Sequence, residues 1–399
     1  MTLRIAVVSD LHVFEGSSDK ERPPSYVGTA DPDDGPSKYP FPGLQRLIED
    51  QGLSADLLLC PGDMTNQAHT SALRHAWQKL HDLKGWLGAS HLLATNGNHD
   101  IDSRFGDSDF DPKGAIQSLS PMFPGTTEAQ CDRYWSRNFV VVEHHNARVV
   151  LLNSAAFHGY GIEREKEFER GRISQRTLLA LQSELSATNA KVNILICHHH
   201  PFRFNEISEA DYSEMEGGSA LLSMLADLGE WLIIHGHKHF PKLAYSPGDA
   251  TSPVIFSAGS FSAVLHPIAA QRARNQFYII DIPIDELDSL GLELAGKIRA
   301  WDWIGLKGWQ PAGPESGLPR SSGFGWRESP TSIAQNIAAL LSPPGVIRTW
   351  AEIISEIPKV DFLLPSNKRT VVQKLIEKHK VKVVANIDTG EIDELGIPV

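Results

Sequence analysis

Residues 91–100 read HLLATNGNHD. The first half is apolar and bounded by turn formers, the pattern of a buried strand. The second half breaks into Asn96-Gly97-Asn98-His99-Asp100, so an amide, an imidazole and a carboxylate stand in consecutive positions. A strand that stops and presents those groups is set up to hold something polar. Asn, Gly and Asp are also ordinary turn residues, so this stretch alone reads equally well as a plain strand-ending turn. The other strand ends decide between the two.

Residues 3–8 are mostly apolar with β-branched side chains and read as a buried strand, ending in Ser9-Asp10-Leu11-His12. Residues 14–42, rich in Gly, Ser, Pro and charge, read as a long loop, with a helix over 43–50. Residues 56–60 form a second strand pattern, ending in Pro61-Gly62-Asp63. The spacing of Leu73, Trp77, Leu80 and Leu83 predicts a helix over 71–84. Residues 102–137 are polar and read as an insertion over the strand ends. Residues 139–142 and 148–153 pair as a hairpin, and 174–187 form a helix. Strand 192–197 ends in His198-His199-His200-Pro201, and strand 231–234 ends in His235-Gly236-His237-Lys238-His239, with a helix over 219–228 between them. Strands over 253–257, 277–282 and 297–303 follow.

Five strand ends therefore carry polar clusters: Asp10/His12, Asp63, Asn98/His99, His199 and His237/His239. Ligands of open α/β sheets bind outside the carboxyl ends of strands. Asp, Asn and His supply oxygen and imidazole nitrogen without thiolate, a set suited to Mn, Fe, Zn or Co in a site of two neighbouring metals. If extended, Asp10/His12 and His237/His239 each put both side chains on one face. Each cluster alone has an ordinary reading as turn or solvated loop. All five following apolar runs is what favours a metal site.

These motifs resemble the signature of the calcineurin-like metallophosphoesterases: D-x-H, G-D, G-N-H-[DE], H-x-P and G-H-x-H, in that order. They correspond to Asp10-Leu11-His12, Gly62-Asp63, Gly97-Asn98-His99-Asp100, His199-His200-Pro201 and Gly236-His237-Lys238-His239. The resemblance spans roughly residues 3 to 303. It implies an α/β fold, a layered α/β/β/α sandwich with mixed sheets and a small C-terminal appendage. It also implies a hydrolase cleaving phosphate esters with two divalent metal ions (Mn, Fe or Zn) that share a bridging hydroxide. One ion would take Asp10, His12, Asp63 and His239. The other would take Asp63, Asn98, His199 and His237, with Asp63 bridging. His99 would be catalytic, contacting the phosphate or the leaving oxygen without binding metal. The protein-phosphatase extension G-D-Y-V-D-R-G is absent, and Asn66 stands where purple acid phosphatases carry a tyrosine ligand. The motif style is most similar to bacterial cyclic-nucleotide-type phosphodiesterases.

Around this constellation the expectations are plainer. His198 and His200 flank the ligand and alternate to the opposite side; His235 belongs to the core. Arg104 is either a phosphate contact or an exposed loop residue. Trp301, Trp303 and Trp309 are core. The chain divides into a phosphoesterase domain over 1–310, a Gly/Pro/Ser-rich linker over 311–329 and a small α/β segment over 330–399 with a possible protein partner. A chain ending near Pro311 is then expected to keep metal binding.

The 399 residues carry a net charge of −12 with no Lys/Arg-rich tract, which disfavours a broad nucleic-acid surface; the resemblance implies a small phosphorylated substrate. A nuclease of the same fold is the rival enzyme, and a non-catalytic adaptor the rival class. Cys60, Cys131 and Cys197 are far apart and form no CxxC pair. With no apolar run of membrane length, a cytoplasmic protein with no membrane contact is expected.

Overall fold

Four apolar residues in a row between Asp56 and Pro61 make a strand buried on both faces, and the chain repeats this device. In the computed structural model, which describes residues 1–159, 170–203, 213–387 and 389–399, the first sheet is built on β1 (Leu3–Val7), β2 (Leu57–Cys60) and β3 (His91–Ala94). These three run parallel, with Ile5 opposite Leu57 and Leu57 opposite His91. The second sheet is built on β4 (Phe139–His144), β5 (Ala147–Leu152), β6 (Val192–Ile196) and β7 (Leu232–His235), with β8 (Lys242–Tyr245) and β9 (Val254–Ser257) at its far side. Its order is β4-β5-β6-β7-β9-β8, parallel from β5 to β9. Two later strands return to the first sheet: β10 (Gln276–Ile282) pairs antiparallel with β1, and β11 (Gly296–Ile304) pairs with β10.

Alternation assigns the two faces of the second sheet. Val149 and Leu151 point into the core shared with the first sheet, whereas Val150 and Leu152 point into a separate cluster. That outer cluster is closed by the helices Gln175–Ser186 and Gly218–Asp227, through Leu181, Leu221 and Leu225. The helices Pro40–Gln51 and Thr70–Trp86 cover the first sheet with Leu44, Leu47, Leu73, Trp77 and Leu80. The expected α/β/β/α sandwich is therefore present. Trp301, Trp303 and Trp309 are core residues, as expected. Among the described residues, no helix is long and apolar enough to cross a membrane.

The stretch expected as a linker over 311–329 is a correction. Its first residue ends β12 (Gly308–Pro311), and β13 (Ser321–Phe324) pairs antiparallel with β11, Lys297 opposite Gly323. Gly and Ser here meet a crowded contact: a Cβ on Gly323 would lie 2.2 Å from the carbonyl oxygen of Asp361. The segment beyond follows the order helix Pro330–Leu340, β14 (Ile347–Thr349), helix Trp350–Glu356, helix Pro365–His379, β15 (Lys382–Ala385) and β16 (Ile392–Gly396), with sheet order β14-β16-β15. Ile333, Ile337, Trp350, Ile353, Val371 and Leu375 join the same hydrophobic core as β1, β2 and β3.

A chain ending at Pro311 therefore loses a sheet strand and uncovers core, and it should fail to give soluble folded protein, contrary to the sequence expectation. Leu375→Ala, at a fully buried position, should lower the stability of the whole chain by about 2–5 kcal/mol in one cooperative transition. A separate low-temperature transition in calorimetry would show instead that the C-terminal segment folds by itself.

Candidate metal centre

The carboxyl ends of both sheets meet in one place. The parallel pairing of β1 and β2 continues past the strands, with the amides of Asp10 and His12 donating to the carbonyls of Gly62 and Asp63, both at 3.0 Å. From the second sheet, the amide of Gly236 donates to the carbonyl of His198 at 3.1 Å, joining the ends of β6 and β7. Asp10, His12, Asp63 and Asn98 arrive from one sheet; His198, His199, His237 and His239 arrive from the other.

The backbone at these positions is not extended, as the alternation argument supposed. Asp10, His12, Asp63, His237 and His239 all have left-handed φ, between 49° and 71°. Each costs of order 1–3 kcal/mol, which persists only where the surroundings over-determine it. The motif glycines follow from crowding. A Cβ on Gly97 would sit 2.1 Å from Asp63 Oδ1, and one on Gly236 would sit 2.4 Å from Asp10 Oδ2.

Two groups of donor atoms result. In the first, His12 Nε2 lies 3.0 Å from His239 Nε2 and 3.5 Å from Asp63 Oδ2, and His239 Nε2 lies 3.4 Å from Asp10 Oδ1. In the second, His198 Nε2 lies 3.2 Å from the same Asp63 Oδ2, 3.1 Å from Asn98 Oδ1 and 3.2 Å from His237 Nδ1. His237 Nδ1 is also 3.1 Å from Asn98 Oδ1. One carboxylate oxygen thus touches both groups. More lone pairs face one another here than there are hydrogens to share, which suits divalent cations with N and O ligands.

His199, the residue expected in this second group, is oriented differently. Ser154 Oγ accepts from the amides of His198 and His199 at 3.2 and 3.1 Å and lies 2.9 Å from His199 Nδ1. His199 Nε2 is buried with no hydrogen-bond partner among the described residues, and His199 offers a ring nitrogen within 4.8 Å of those of His198 and His237. His198 Nδ1 donates to the carbonyl of Pro61 at 3.0 Å, which turns its Nε2 toward Asp63 and Asn98. The strand ends at Ile196, so the alternation that turned His198 away has already stopped.

Burial opposes charge throughout the centre. It brings His12 down to about 3, helped by His99. Burial alone would raise Asp63, but the imidazoles of His198, His99 and His12 around it prevail and hold it well below the carboxylate range. Burial, then the neighbouring His199 and His198, holds His237 neutral. Asp100 is pushed up to about 7 by burial and by Asp63, against amide hydrogen bonds from Gly97 at 2.8 Å and Thr65 at 3.0 Å.

His99 stands at the edge of the first group, its ring centroid 4.7 Å from that of His12. Its amide donates to Asp63 Oδ1 at 2.8 Å, and its Nδ1 accepts from the amide of Gln67 at 3.4 Å. His200 and His235 are fully buried, and Arg104 is exposed. The 102–137 stretch carries two helices, Gly114–Gln117 and Glu128–Arg137. The latter brings Tyr134, which donates to Asn96 Oδ1 at 2.6 Å.

The family model of the calcineurin-like phosphoesterases matches residues 3–241, and a second model, wHTH-Calcineurin_assc, matches residues 322–375. The chain belongs to the calcineurin-like phosphoesterase family and is a metallophosphoesterase. Among solved structures it is similar to the purple acid phosphatase PPD1 of yellow lupin, with 11% identity, a TM-score of 0.52, and 82% of this chain and 54% of that chain covered. It is also similar to PhoD, with 10% identity, a TM-score of 0.48 and coverage of 81% and 70%. A putative 5'-nucleotidase from Staphylococcus aureus gives 12%, 0.40, and 71% and 51%. The chain thus spans about half the length of the lupin phosphatase and the nucleotidase. A search of curated proteins gave no match.

Asp100 ties the amides on either side of the donor atoms and touches neither group itself. Asp100→Ala should weaken metal retention by roughly 10–100-fold, the usual cost of losing a group that orients ligands, measured by competition with a chelator. Unchanged retention would mean the turn holds its shape without that carboxylate.

Proposed function

We propose that the chain hydrolyses ester bonds of a small organic phosphate or nucleotide at a pair of divalent ions. One ion is held by Asp10, His12, Asp63 and His239, and the other by Asp63, Asn98, His198 and His237. The observation that carries this reading is Asp63 Oδ2, within 3.2 and 3.5 Å of imidazoles from the two groups. His198 replaces His199 in the expected set because its Nε2 lies 3.2 Å from Asp63 Oδ2 and 3.1 Å from Asn98 Oδ1.

Bound divalent ions supply Lewis acidity and an activated water at neutral pH. The donor set, N and O without thiolate, favours Mn, Fe or Zn. The side chains do the rest. Asp63 would share its negative charge between both ions, and the His99 amide fixes its second oxygen at 2.8 Å. Asp10 accepts from the amide of His237 at 2.9 Å and so ties the two sheets' ligands together. His99, with Nδ1 occupied by Gln67, carries its hydrogen on Nε2. It donates that hydrogen to a phosphoryl oxygen or to the leaving oxygen. A small substrate is favoured over a nucleic-acid strand by the net charge of −12. Turnover that falls steeply with salt would favour the nuclease reading.

The ligand choice is tested by elemental analysis of metal-replete protein. The unaltered chain should hold about two ions, as a bridged pair requires. His198→Ala should lose one of them, and His199→Ala should keep both. The reverse pattern would restore the spacing-based assignment. His99→Ala should keep both ions yet lose roughly 10²–10⁴-fold in turnover, and more on alkyl phosphodiesters than on p-nitrophenyl esters, because a poor leaving group needs the proton more. Equal losses on both would place the donor on the phosphoryl oxygens.

A further inference from the structure

A cleft of about 910 Å³ lies between the sheet edge and the C-terminal segment. One wall is β8 with Phe240 and Pro241 just before it, and none of the proposed ligands lines it. The facing walls are the 314–323 loop, the helix Pro365–His379 and the β15–β16 hairpin. The volume is that of a site for a small organic molecule, commonly about 300–1,000 Å³.

Its charge runs against that of the chain. Lys242, Arg272, Arg320, Lys368 and Arg369 line it. Of its four carboxylates, Asp361 is already paired with Lys297, and Glu391 with Arg320 at 3.6 Å; Glu315 and Glu377 complete the set. Among the described residues, with Lys297 counted, six cations meet four carboxylates, and Lys242 and Arg272 have further partners of their own. Arg369 has no ion-pair or hydrogen-bond partner among the described residues, and burial holds the Lys368 ammonium below its usual range. Apolar surface lies beside the cations. Lys368 Nζ sits 4.8 Å from the centroid of the Trp350 ring, and Ile376, on the helix face of Arg369, is 48% exposed.

We propose that this cleft is a second ligand site, distinct from the metal centre, which takes a nucleotide-sized phosphorylated anion. The cations receive the phosphates, and the apolar wall of Ile376, Val372 and Leu243 receives the body of the molecule. Duplex DNA is the poorer occupant. The net charge of −12 works against a phosphate backbone that would extend beyond the cleft.

The test uses the full chain stripped of metal by chelation, so that the metal centre neither binds through its ions nor turns over. Isothermal titration with ATP should show one site. Arg369→Glu and Lys242→Glu should each weaken it about tenfold or more, the loss of one charge-assisted contact. Both variants, once metal is restored, should hydrolyse p-nitrophenyl phosphate at the unaltered rate. Three results would overturn the proposal: no ATP binding without metal, binding unaffected by either substitution, or tighter binding of a 12-nucleotide single strand than of ATP. Failure of hydrolysis in the unaltered, metal-replete chain would instead count against the proposed function alone.

Discussion

The constraint on which this structure depends is a single buried carboxylate shared between two imidazole groups. Asp63 is 1% exposed, its Oδ1 is fixed by an amide and its Oδ2 faces His12 and His198. A charge in that position is costly unless positive charge sits on both sides of it. The fold supplies the geometry by bringing two parallel strand bundles carboxyl end to carboxyl end. Neither sheet has the full proposed donor set: the carboxylates and the amide come from one, and three of the four imidazoles from the other. Sandwich packing and metal chemistry are therefore one problem, because any slip between the sheets separates Asp63 from His198.

The cost appears in the backbone. Five of the eight residues at the centre occupy left-handed φ, and β1, β2 and β7 all end abruptly so that they do. What holds them there is a net of short contacts. Asp10 Oδ1 accepts the His237 amide, Asp100 accepts two amides around the G-N-H turn, and Ser260 Oγ donates to the Asp10 carbonyl at 2.6 Å. Gly97 and Gly236 are required because atoms of Asp63 and Asp10 already fill the space a Cβ would need.

How much of this was legible in the sequence depends on how local the cause is. Buried strands such as 57–60 declare themselves by composition, and helices such as 70–86 by period. The ordered set of D-x-H, G-D, G-N-H-D and G-H-x-H gave seven of the eight residues at the centre. The proposed place of His198 beside Asp63 was not legible, because it depends on a carbonyl at Pro61, far off in sequence, that holds the ring's Nδ1. Alternation was applied one residue beyond Ile196, where the strand had already ended. Strands β8, β12, β13 and β16 were missed for a related reason. They are short and polar, and they exist because an edge was available to pair with.

That availability also explains why a Gly- and Ser-rich stretch is structural here. β13 adds to β11 on the first sheet, and the chain leaving it crosses to the second. Gly325 donates its amide to the Tyr245 hydroxyl at 3.2 Å, the Arg327 guanidinium lies 3.8 Å from the centroid of the Tyr245 ring, and the same guanidinium donates to the carbonyl of Ser252 at 2.6 Å. Tyr245 and Ser252 belong to the hairpin of β8 and β9, whose outer strand would otherwise be an open sheet edge, a place where chains add to one another. A seven-residue path thus clamps both sheets together at the end remote from β4, and it does so with backbone and guanidinium groups that carry no periodic signal. The C-terminal helices are held in place by that clamp, which sets the width of the cleft beside β8. The same contacts therefore limit how far the two sheets, and the halves of the metal centre they carry, can move apart.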